Sequence, residues 1–296
     1  MLQGIVIKAL SGFYYVQTGE VLLQCRARGK FRKDGASPMV GDRVGVEETE
    51  AGNGVVLEIL PRKNCFIRPA VANVDALVLL AANVNPVTDP FLVDRVAVIA
   101  ESVRCGVIIC INKCDLDRGD SLYRAFSNST GYPVLRTSAA TGEGVDALLE
   151  LIRGKTVAFT GNSGVGKSSL LNRMSPGLGL AVGEVSRHLG RGKHTTRHIE
   201  LFALPGDAYV ADTPGFSSFD LTQMEPIRKE ALQQLFPEFR PYIGQCRFDN
   251  CAHLREPGCA VLQALKEGRI AKSRHESYAK LYEISSQYRD WEKPSH

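Results

Sequence analysis

The sequence predicts a multidomain protein with an N-terminal β-barrel, a central α/β domain and a C-terminal, mostly helical domain. Short β-rich runs separated by glycine-containing turns fill the first part of the chain, and apolar strands then alternate with helices. Near the C-terminus the apolar spacing becomes helical, and cysteine and histidine residues cluster there. We therefore expect domains at residues 1–65, 66–220 and 221–296.

The first domain contains five β-rich runs, at residues 4–10, 13–17, 21–27, 43–46 and 55–60. So many short strands in so few residues indicate a small barrel. A five-stranded oligonucleotide-binding (OB) barrel fits this pattern, and an SH3-like barrel would give much the same one. Residues 61–72 follow as a linker.

Basic and aromatic side chains of the barrel favour RNA as a partner, because basic groups follow phosphates and rings stack on bases. Basic residues alternate along the third run and beyond, so they would share one face if the strand continues: Arg26, Arg28, Lys30 and Arg32. Aromatic residues on the second run could stack on bases: Phe13, Tyr14 and Tyr15. A solvated basic edge that discourages strand pairing is the alternative.

Composition points to a cytosolic protein. The formal net charge of +4 is too small to indicate a polyanionic partner by itself. The longest apolar run, residues 76–82, is far below the about 18 residues that a membrane span needs, and residues 1–12 lack the pattern of a signal peptide. We expect a soluble, cytoplasmic chain with no membrane partner, whose eight cysteines are reduced.

The central domain alternates strands and helices. Predicted strands cover residues 76–82, 107–111, 134–138, 157–160, 199–203 and 209–211. Predicted helices cover residues 91–105 and 145–152, the second stopped by Gly154. Continuous apolar strands between helices are typical of a mostly parallel sheet that is covered on both faces.

A phosphate-binding loop connects the strand at 157–160 to a helix. Its residues are Gly161, Asn162, Ser163, Gly164, Val165, Gly166, Lys167, Ser168 and Ser169. The glycines let backbone amides turn toward phosphate oxygens at the positive end of a helix. Lys167 would reach the β and γ phosphates, and Ser168 would ligate Mg²⁺. The loop predicts binding of a nucleoside triphosphate.

A second motif selects the base. It comes directly after the strand at 107–111, at the carboxyl end where open α/β sheets hold ligands. Asp115 can accept hydrogen bonds from both the amino group and the ring N–H of guanine, and adenine offers no such pair. The expected guanine-binding residues are Asn112, Lys113, Cys114 and Asp115, with Ser138 and Ala139 from the end of the next strand. We therefore expect GTP and GDP as ligands.

A third motif, Asp212-Thr213-Pro214-Gly215, follows the strand at 209–211. Asp212 would hold Mg²⁺ through water, and the amide of Gly215 would sense the γ phosphate. In ordinary GTPases the phosphate loop comes first and the guanine motif later, whereas here the guanine motif leads. The order predicts a circularly permuted GTPase domain.

The water-orienting group must come from elsewhere, because the residue after Gly215 is Phe216, which cannot position water. The stretch at 183–198 is a glycine-rich basic loop that contains His194-Thr195-Thr196. A threonine there could ligate Mg²⁺, and His194 could orient the attacking water. The alternative is a solvated loop whose basic residues only neutralise phosphate.

The C-terminal domain contains a candidate zinc site formed by Cys246, Cys251, His253 and Cys259. Three thiolates and one imidazole supply four ligands for tetrahedral zinc, and four protein ligands leave no position for water, so a structural role is expected. A cluster of reduced cysteines is the alternative. The other five cysteines are interpreted as packing residues.

Taken together, the barrel, the permuted motifs and the segment from Cys246 to Cys259 resemble the bacterial ribosome small subunit-dependent GTPase A family over nearly the whole chain. The resemblance implies an OB domain, a permuted GTPase domain and a zinc domain. It also implies binding to the small ribosomal subunit and its rRNA, slow GTP hydrolysis that the subunit stimulates, and a role late in subunit maturation. His194 then falls on the proposed catalytic histidine and Thr196 on the switch threonine. Lys167, assigned from the phosphate loop itself, is the third expected catalytic residue.

Two other functions stay open. One is an RNA-binding protein that senses GTP with hardly any turnover, an alternative that Phe216 keeps open. The other is a GTPase that acts on tRNA or on the large subunit. In each case we expect a monomer, and other subunit assembly factors are further candidate partners.

Overall fold

The structure is a computed structural model of the chain, and it describes residues 1–29, 31, 37–50, 52–67, 69–128, 130–180, 199–212 and 227–287. The strands are β1 (Leu2–Leu10), β2 (Phe13–Thr18), β3 (Val21–Ala27), β4 (Arg43–Glu50), β5 (Asn53–Ile59), β6 (Cys65–Phe66), β7 (Val71–Ala72), β8 (Ala76–Ala81), β9 (Gly106–Ile111), β10 (Val134–Arg136), β11 (Thr156–Gly161), β12 (Glu200–Leu204) and β13 (Ala208–Asp212). The α-helices are α1 (Pro90–Ser102), α2 (Asp120–Ser127), α3 (Val145–Ile152), α4 (Lys167–Met174), α5 (Lys229–Leu232), α6 (Ala260–Lys266) and α7 (Lys272–Ser286).

Strands β1 to β5 close into a barrel. β1 pairs with both β2 and β4, β4 pairs with β5, and β5 runs parallel to β3. Alternate side chains point inward and form the barrel core, among them Val6, Val16, Leu23, Val44 and Val56. The five-stranded OB-type barrel is confirmed, because this strand order closes the sheet on itself.

The structure describes only part of the predicted basic face of the barrel. β3 ends at Ala27, so the alternation of basic residues does not continue within that strand. Phe31 is buried in the barrel core. Lys30 and Arg32 lie outside the described residues.

Residues 61–72 were expected to be a linker, and the described part of this range contains buried side chains and the small β6–β7 hairpin. The Arg62 guanidinium donates to both carboxylate oxygens of the buried Asp42, at 2.7 and 2.8 Å. Asp42 also accepts from the Met39 amide at 2.7 Å. Because a buried carboxylate needs a partner, this ion pair fixes the barrel to the segment that enters the central domain.

The central sheet has the strand order β10-β9-β8-β11-β13-β12. All neighbours from β10 to β13 are parallel, and β12 is antiparallel to β13. β12 also pairs with β1 at Lys8 and Glu200, whose side chains form an ion pair at 2.9 Å. The barrel and the central domain therefore share one 11-stranded sheet.

Helices cover both faces of the central sheet, as predicted. Alternate residues of β8 pack on opposite sides: Leu77, Leu79 and Ala81 join the core under α1 and α2, and Ala76, Val78 and Leu80 join the core under α3 and α4. Every residue of β8 is buried, which explains its continuous apolar sequence.

Helix α1 begins at Pro90 because the Asp89 carboxylate accepts from the Phe91 amide at 2.9 Å and proline suits the first helical position. It ends three residues before the predicted boundary. Arg104 adopts a left-handed conformation with φ of 57°, and the Cys105 amide turns back to the Ala100 carbonyl at 2.8 Å. This closing turn terminates the helix.

The C-terminal helices pack around an aromatic cluster. The ring of Phe239 lies 5.2 Å from that of Phe236 and 4.8 Å from that of Tyr278. Phe91 and Val98 of α1 belong to the same core, so this domain docks on the central domain through α1. The expected boundary at residue 220 lies outside the described residues. No described helix is long and apolar enough to span a membrane.

We predict that Gly41→Ala destabilises the protein by about 2–4 kcal/mol. Gly41 has a φ of 89°, and a Cβ atom there would lie 2.0 Å from the Ala72 carbonyl oxygen. Gly12 has a similar φ of 83° but no atom within 4 Å of its Cβ position, so Gly12→Ala should cost about 1 kcal/mol. Urea denaturation, monitored by circular dichroism, measures the free energy of unfolding of both variants. Equal losses of stability would contradict the contact with Ala72.

Candidate nucleotide and zinc sites

The guanine motif and the phosphate loop lie at one edge of the central sheet. From β8 the chain proceeds to β9 and β10 on one side, and later to β11 on the other side. Registers place Leu80 beside Gly161, Ala81 beside Ile111, and Ile111 beside Arg136, so the carboxyl ends of β8 to β11 are adjacent. A crevice at such a reversal of strand order is the usual ligand site of open α/β sheets.

Asn112 holds the loops at this crevice together. Its buried side-chain amide donates to the carbonyl of Val165 in the phosphate loop at 2.9 Å. Its side-chain oxygen accepts from the Thr137 hydroxyl at 3.2 Å, next to the predicted base-contacting residues. Gly166 has a φ of 101°, and a Cβ atom there would lie 2.4 Å from the Asn112 amide nitrogen. Glycine at this position therefore lets the base and phosphate loops pack together.

Lys113 makes a second connection. Its ammonium donates to the Gly164 carbonyl at 2.8 Å and to the Asn85 carbonyl. Asn85 lies in the loop of residues 82–89, which follows β8 and was not among the predicted site residues. No motif marks this loop in the sequence, and only the strand order shows that it leaves the strand next to the phosphate-loop strand.

Asp115 is exposed at the mouth of the crevice, and no hydrogen bond involves its carboxylate among the described residues. Ser138 closes the neighbouring turn, because its amide donates to the Glu143 carbonyl at 2.9 Å and its hydroxyl accepts from the Thr141 amide at 3.1 Å. Cys114 is buried, and burial raises the pKa of its thiol. This arrangement leaves the Asp115 carboxylate available to a guanine base.

Lys167 and Ser168 begin α4 at the bottom of the phosphate loop. The Lys167 ammonium donates to the carbonyls of Gly161 and Asn162, the second at 3.1 Å, and burial lowers its pKa to about 8. The Ser168 hydroxyl is buried and has no hydrogen-bond partner in the described part of the chain. A buried hydroxyl without a partner is costly, so these residues fit a phosphate group with a bound Mg²⁺.

Several predicted site residues lie outside the described residues, namely His194, Thr195, Thr196, Gly215 and Phe216. The backbone of Asp212 ends β13, one residue beyond the pairing of Ala211 with Ala158 of β11. The roles of these residues stay predictions. Ala139, Ser163 and Ser169 lie in the loops that line the crevice or open α4.

The four candidate zinc ligands come together. Their ligand atoms all lie within 4.8 Å of one another. His253 Nδ1 is 3.3 Å from Cys259 Sγ and 3.6 Å from Cys246 Sγ, and these two sulfurs are 3.9 Å apart. Ligands about 2.0–2.3 Å from a tetrahedral zinc ion have separations of this size. Three sulfurs and one nitrogen therefore fit a single zinc ion.

Gln233 orients the histidine ligand. His253 Nε2 lies 2.7 Å from the Gln233 side-chain oxygen, so Nε2 carries the proton and Nδ1 faces the thiols. Burial raises the pKa of Cys251 to about 12 and also raises that of Cys259. Zinc binding would stabilise the thiolates and release protons. Gln233 escaped prediction because it lies well before the Cys/His segment and has no spacing signature.

We predict that Gln233→Ala weakens zinc binding about 10- to 100-fold, because the imidazole loses the acceptor that fixes its orientation. Competition with a chromogenic chelator measures the affinity. Gln263→Ala is the matched control, since its side chain donates to Glu267 at 2.7 Å on the exposed side of the same domain. Equal zinc affinity in the two variants would contradict the role of Gln233.

Comparisons with known proteins agree with this geometry. The family model of the RsgA GTPase matches residues 59–222, and that of the RsgA N-terminal domain matches residues 3–56. The small ribosomal subunit biogenesis GTPase RsgA of Bacillus anthracis is 45% identical over 288 residues, which is 96% of this chain and 97% of the relative. The protein of the same name from Caldanaerobacter subterraneus subsp. tengcongensis is 42% identical over 282 residues, 95% of this chain and 94% of the relative.

Two solved structures share the fold. YjeQ from Thermotoga maritima superposes with a TM-score of 0.83 at 35% identity, covering 97% of this chain and 99% of the other. YloQ, described as a circularly permuted GTPase, superposes with a TM-score of 0.80 at 36% identity, covering 100% of this chain and 97% of the other. With its guanine motif and phosphate loop joined at one crevice and these similarities along almost its whole length, the chain belongs to the RsgA GTPase family.

Proposed function

We propose that this GTPase binds the small ribosomal subunit and acts late in its maturation, hydrolysing GTP to GDP and phosphate with stimulation by the subunit. The observation that carries the proposal is the crevice, where Asn112 joins the phosphate loop to the guanine motif. The relatives named as small ribosomal subunit biogenesis GTPases support the choice of partner.

Each predicted residue has its own role in GTP hydrolysis. The phosphate-loop amides and the Lys167 ammonium bind the β and γ phosphates and stabilise charge that develops during transfer. Bound Mg²⁺ supplies further charge neutralisation, and Ser168, Thr196 and Asp212 would hold it. His194 orients the attacking water, and the Gly215 amide senses the γ phosphate. Motif spacing supports the roles of His194, Thr196, Asp212 and Gly215.

The outer face of the barrel is the proposed contact with rRNA. Phe13 lies opposite Arg26, whose guanidinium is 4.8 Å from the ring centre, and Tyr15 lies between Lys8 and Gln24 on neighbouring strands. Rings beside cationic and amide groups can stack on bases and bind phosphates. We further propose that the protein is cytoplasmic and monomeric, that zinc is structural, and that other assembly factors contact it on the subunit.

Phosphate release in the presence of each ribosomal component tests this function. We predict that purified small subunits raise the rate of GTP hydrolysis well above that of the protein alone, and that large subunits and tRNA do not. A protein that binds GTP but turns over equally slowly with small subunits would instead be a GTP sensor. Equal stimulation by large subunits or tRNA would contradict the proposed partner.

His194→Ala should abolish most of the stimulated hydrolysis but leave GDP affinity unchanged, because the imidazole is assigned to water rather than to the nucleotide. Single-turnover phosphate release on saturating small subunits measures the first quantity, and nucleotide titration measures the second. His198→Ala changes another histidine close by in the sequence and is the control. Full stimulated hydrolysis by His194→Ala would remove that residue from the mechanism.

Asp115→Asn should exchange guanine for xanthine specificity. The carboxylate accepts from the guanine amino group, whereas the amide of asparagine can donate to the oxygen that xanthine has in its place. Titration with GDP measures the expected loss of guanine binding, and titration with xanthosine diphosphate measures the expected gain of xanthine binding. Asp120→Asn, a nearby exposed carboxylate paired with Arg136, should retain GDP binding. Unchanged GDP affinity of Asp115→Asn would place the base elsewhere.

A further inference from the structure

The loop of residues 82–89 is part of the nucleotide crevice. Its Asn85 carbonyl accepts from the Lys113 ammonium, which also bonds the phosphate-loop carbonyl of Gly164. Pro86 flanks the same glycine, since a Cβ atom on Gly164 would lie 3.6 Å from Pro86 Cδ. The position of this loop therefore sets the position of Lys113 between the base and phosphate motifs.

The loop is fixed to the start of α1. The Ala82 amide donates to the Thr88 hydroxyl at 3.0 Å, and the Thr88 amide donates back to the Ala82 carbonyl at 2.8 Å. Thr88 is buried, and the next residue, Asp89, caps α1. With its two ends closed in this way, the loop must follow any displacement of the first turn of α1.

The C-terminal domain holds α1 along one face. Phe91, Asp94, Val98 and Glu101 are spaced as one stripe of a helix. Lys280 Nζ lies 3.9 Å from the centre of the Phe91 ring, and Val98 is buried in the C-terminal core. Glu101 accepts from Arg240 at 2.5 Å. These contacts begin at Phe91, in the first turn of α1, which directly follows the loop.

Arg274 is the centre of this interface. It is fully buried and donates to Asp94 at 2.5 Å and to the two carboxylate oxygens of Glu238 at 2.6 and 3.1 Å. Displacing α1 would leave Arg274 and Asp94 imperfectly paired in an apolar core, and buried charges without partners are costly. The ion-pair cluster therefore opposes displacement of α1 on the C-terminal domain.

We infer that Arg274 is a positioning residue for guanine nucleotide binding, acting through Asp94 and α1 on the loop that holds Lys113. The C-terminal domain is then a structural part of the nucleotide site. This inference rests on the proposed guanine-nucleotide site. Because Lys113 connects the base motif to the phosphate loop at Gly164, GDP and GTP should depend on Arg274 equally.

Nucleotide titration of two interface variants tests the inference. Arg274→Lys keeps the charge but loses the fork that binds two carboxylates, and Phe91→Ala removes the ring beneath Lys280. Leu265→Ala is the control, because it shortens a half-buried side chain of the same core on α6. Zinc content and thermal denaturation are measured for each variant. Nucleotide affinities are then measured at a temperature at which all variants are folded.

The expected result is a fivefold to tenfold rise, in order of magnitude, in the dissociation constants of both GDP and GTP for Arg274→Lys and Phe91→Ala, with about unchanged affinity in Leu265→Ala. If Arg274→Lys does not fold, the nucleotide dissociation constants of Phe91→Ala test the inference. Folded, zinc-loaded variants that bind both nucleotides like the wild type would overturn the inference, as would an effect on GTP alone. Failure of the wild type to bind guanine nucleotides would instead overturn the proposed function.

Discussion

The hydrogen bonds of the Asn112 side chain are the constraint on which the nucleotide site depends. One buried amide connects the guanine motif to the phosphate loop and to the loop after β10, so three segments distant in sequence share one geometry. Gly166 makes the approach possible, because any side chain there would meet this amide. Circular permutation changes the order of the segments along the chain, and these contacts bring them together in the folded domain.

The nucleotide domain is attached to both outer domains. The barrel continues the central sheet through the pairing of β1 with β12, and the C-terminal domain docks on α1 beside the loop that contacts Lys113. Both outer domains are thus connected to elements of the nucleotide domain by hydrogen bonds or ion pairs. A partner bound to an outer domain and a nucleotide bound in the crevice can influence each other through such contacts.

Features that depend on repeated patterns or on compact motifs could be predicted from the sequence. The barrel, the buried parallel strands and the zinc ligands follow from alternation, apolar runs and close spacing. The loop at 82–89, Gln233 and the Arg274 cluster could not be predicted, because each acts through a partner distant in sequence and none belongs to a motif. The alternation of basic residues did not show that β3 ends at Ala27.

Titration of GDP with Mg²⁺ into Asn112→Ala and wild-type protein tests the central claim most directly. The variant loses both side-chain hydrogen bonds and leaves the Val165 carbonyl without this donor. The account predicts binding weaker by about 10- to 100-fold in a protein that keeps its fold and its zinc. Wild-type affinity in the folded variant would contradict it.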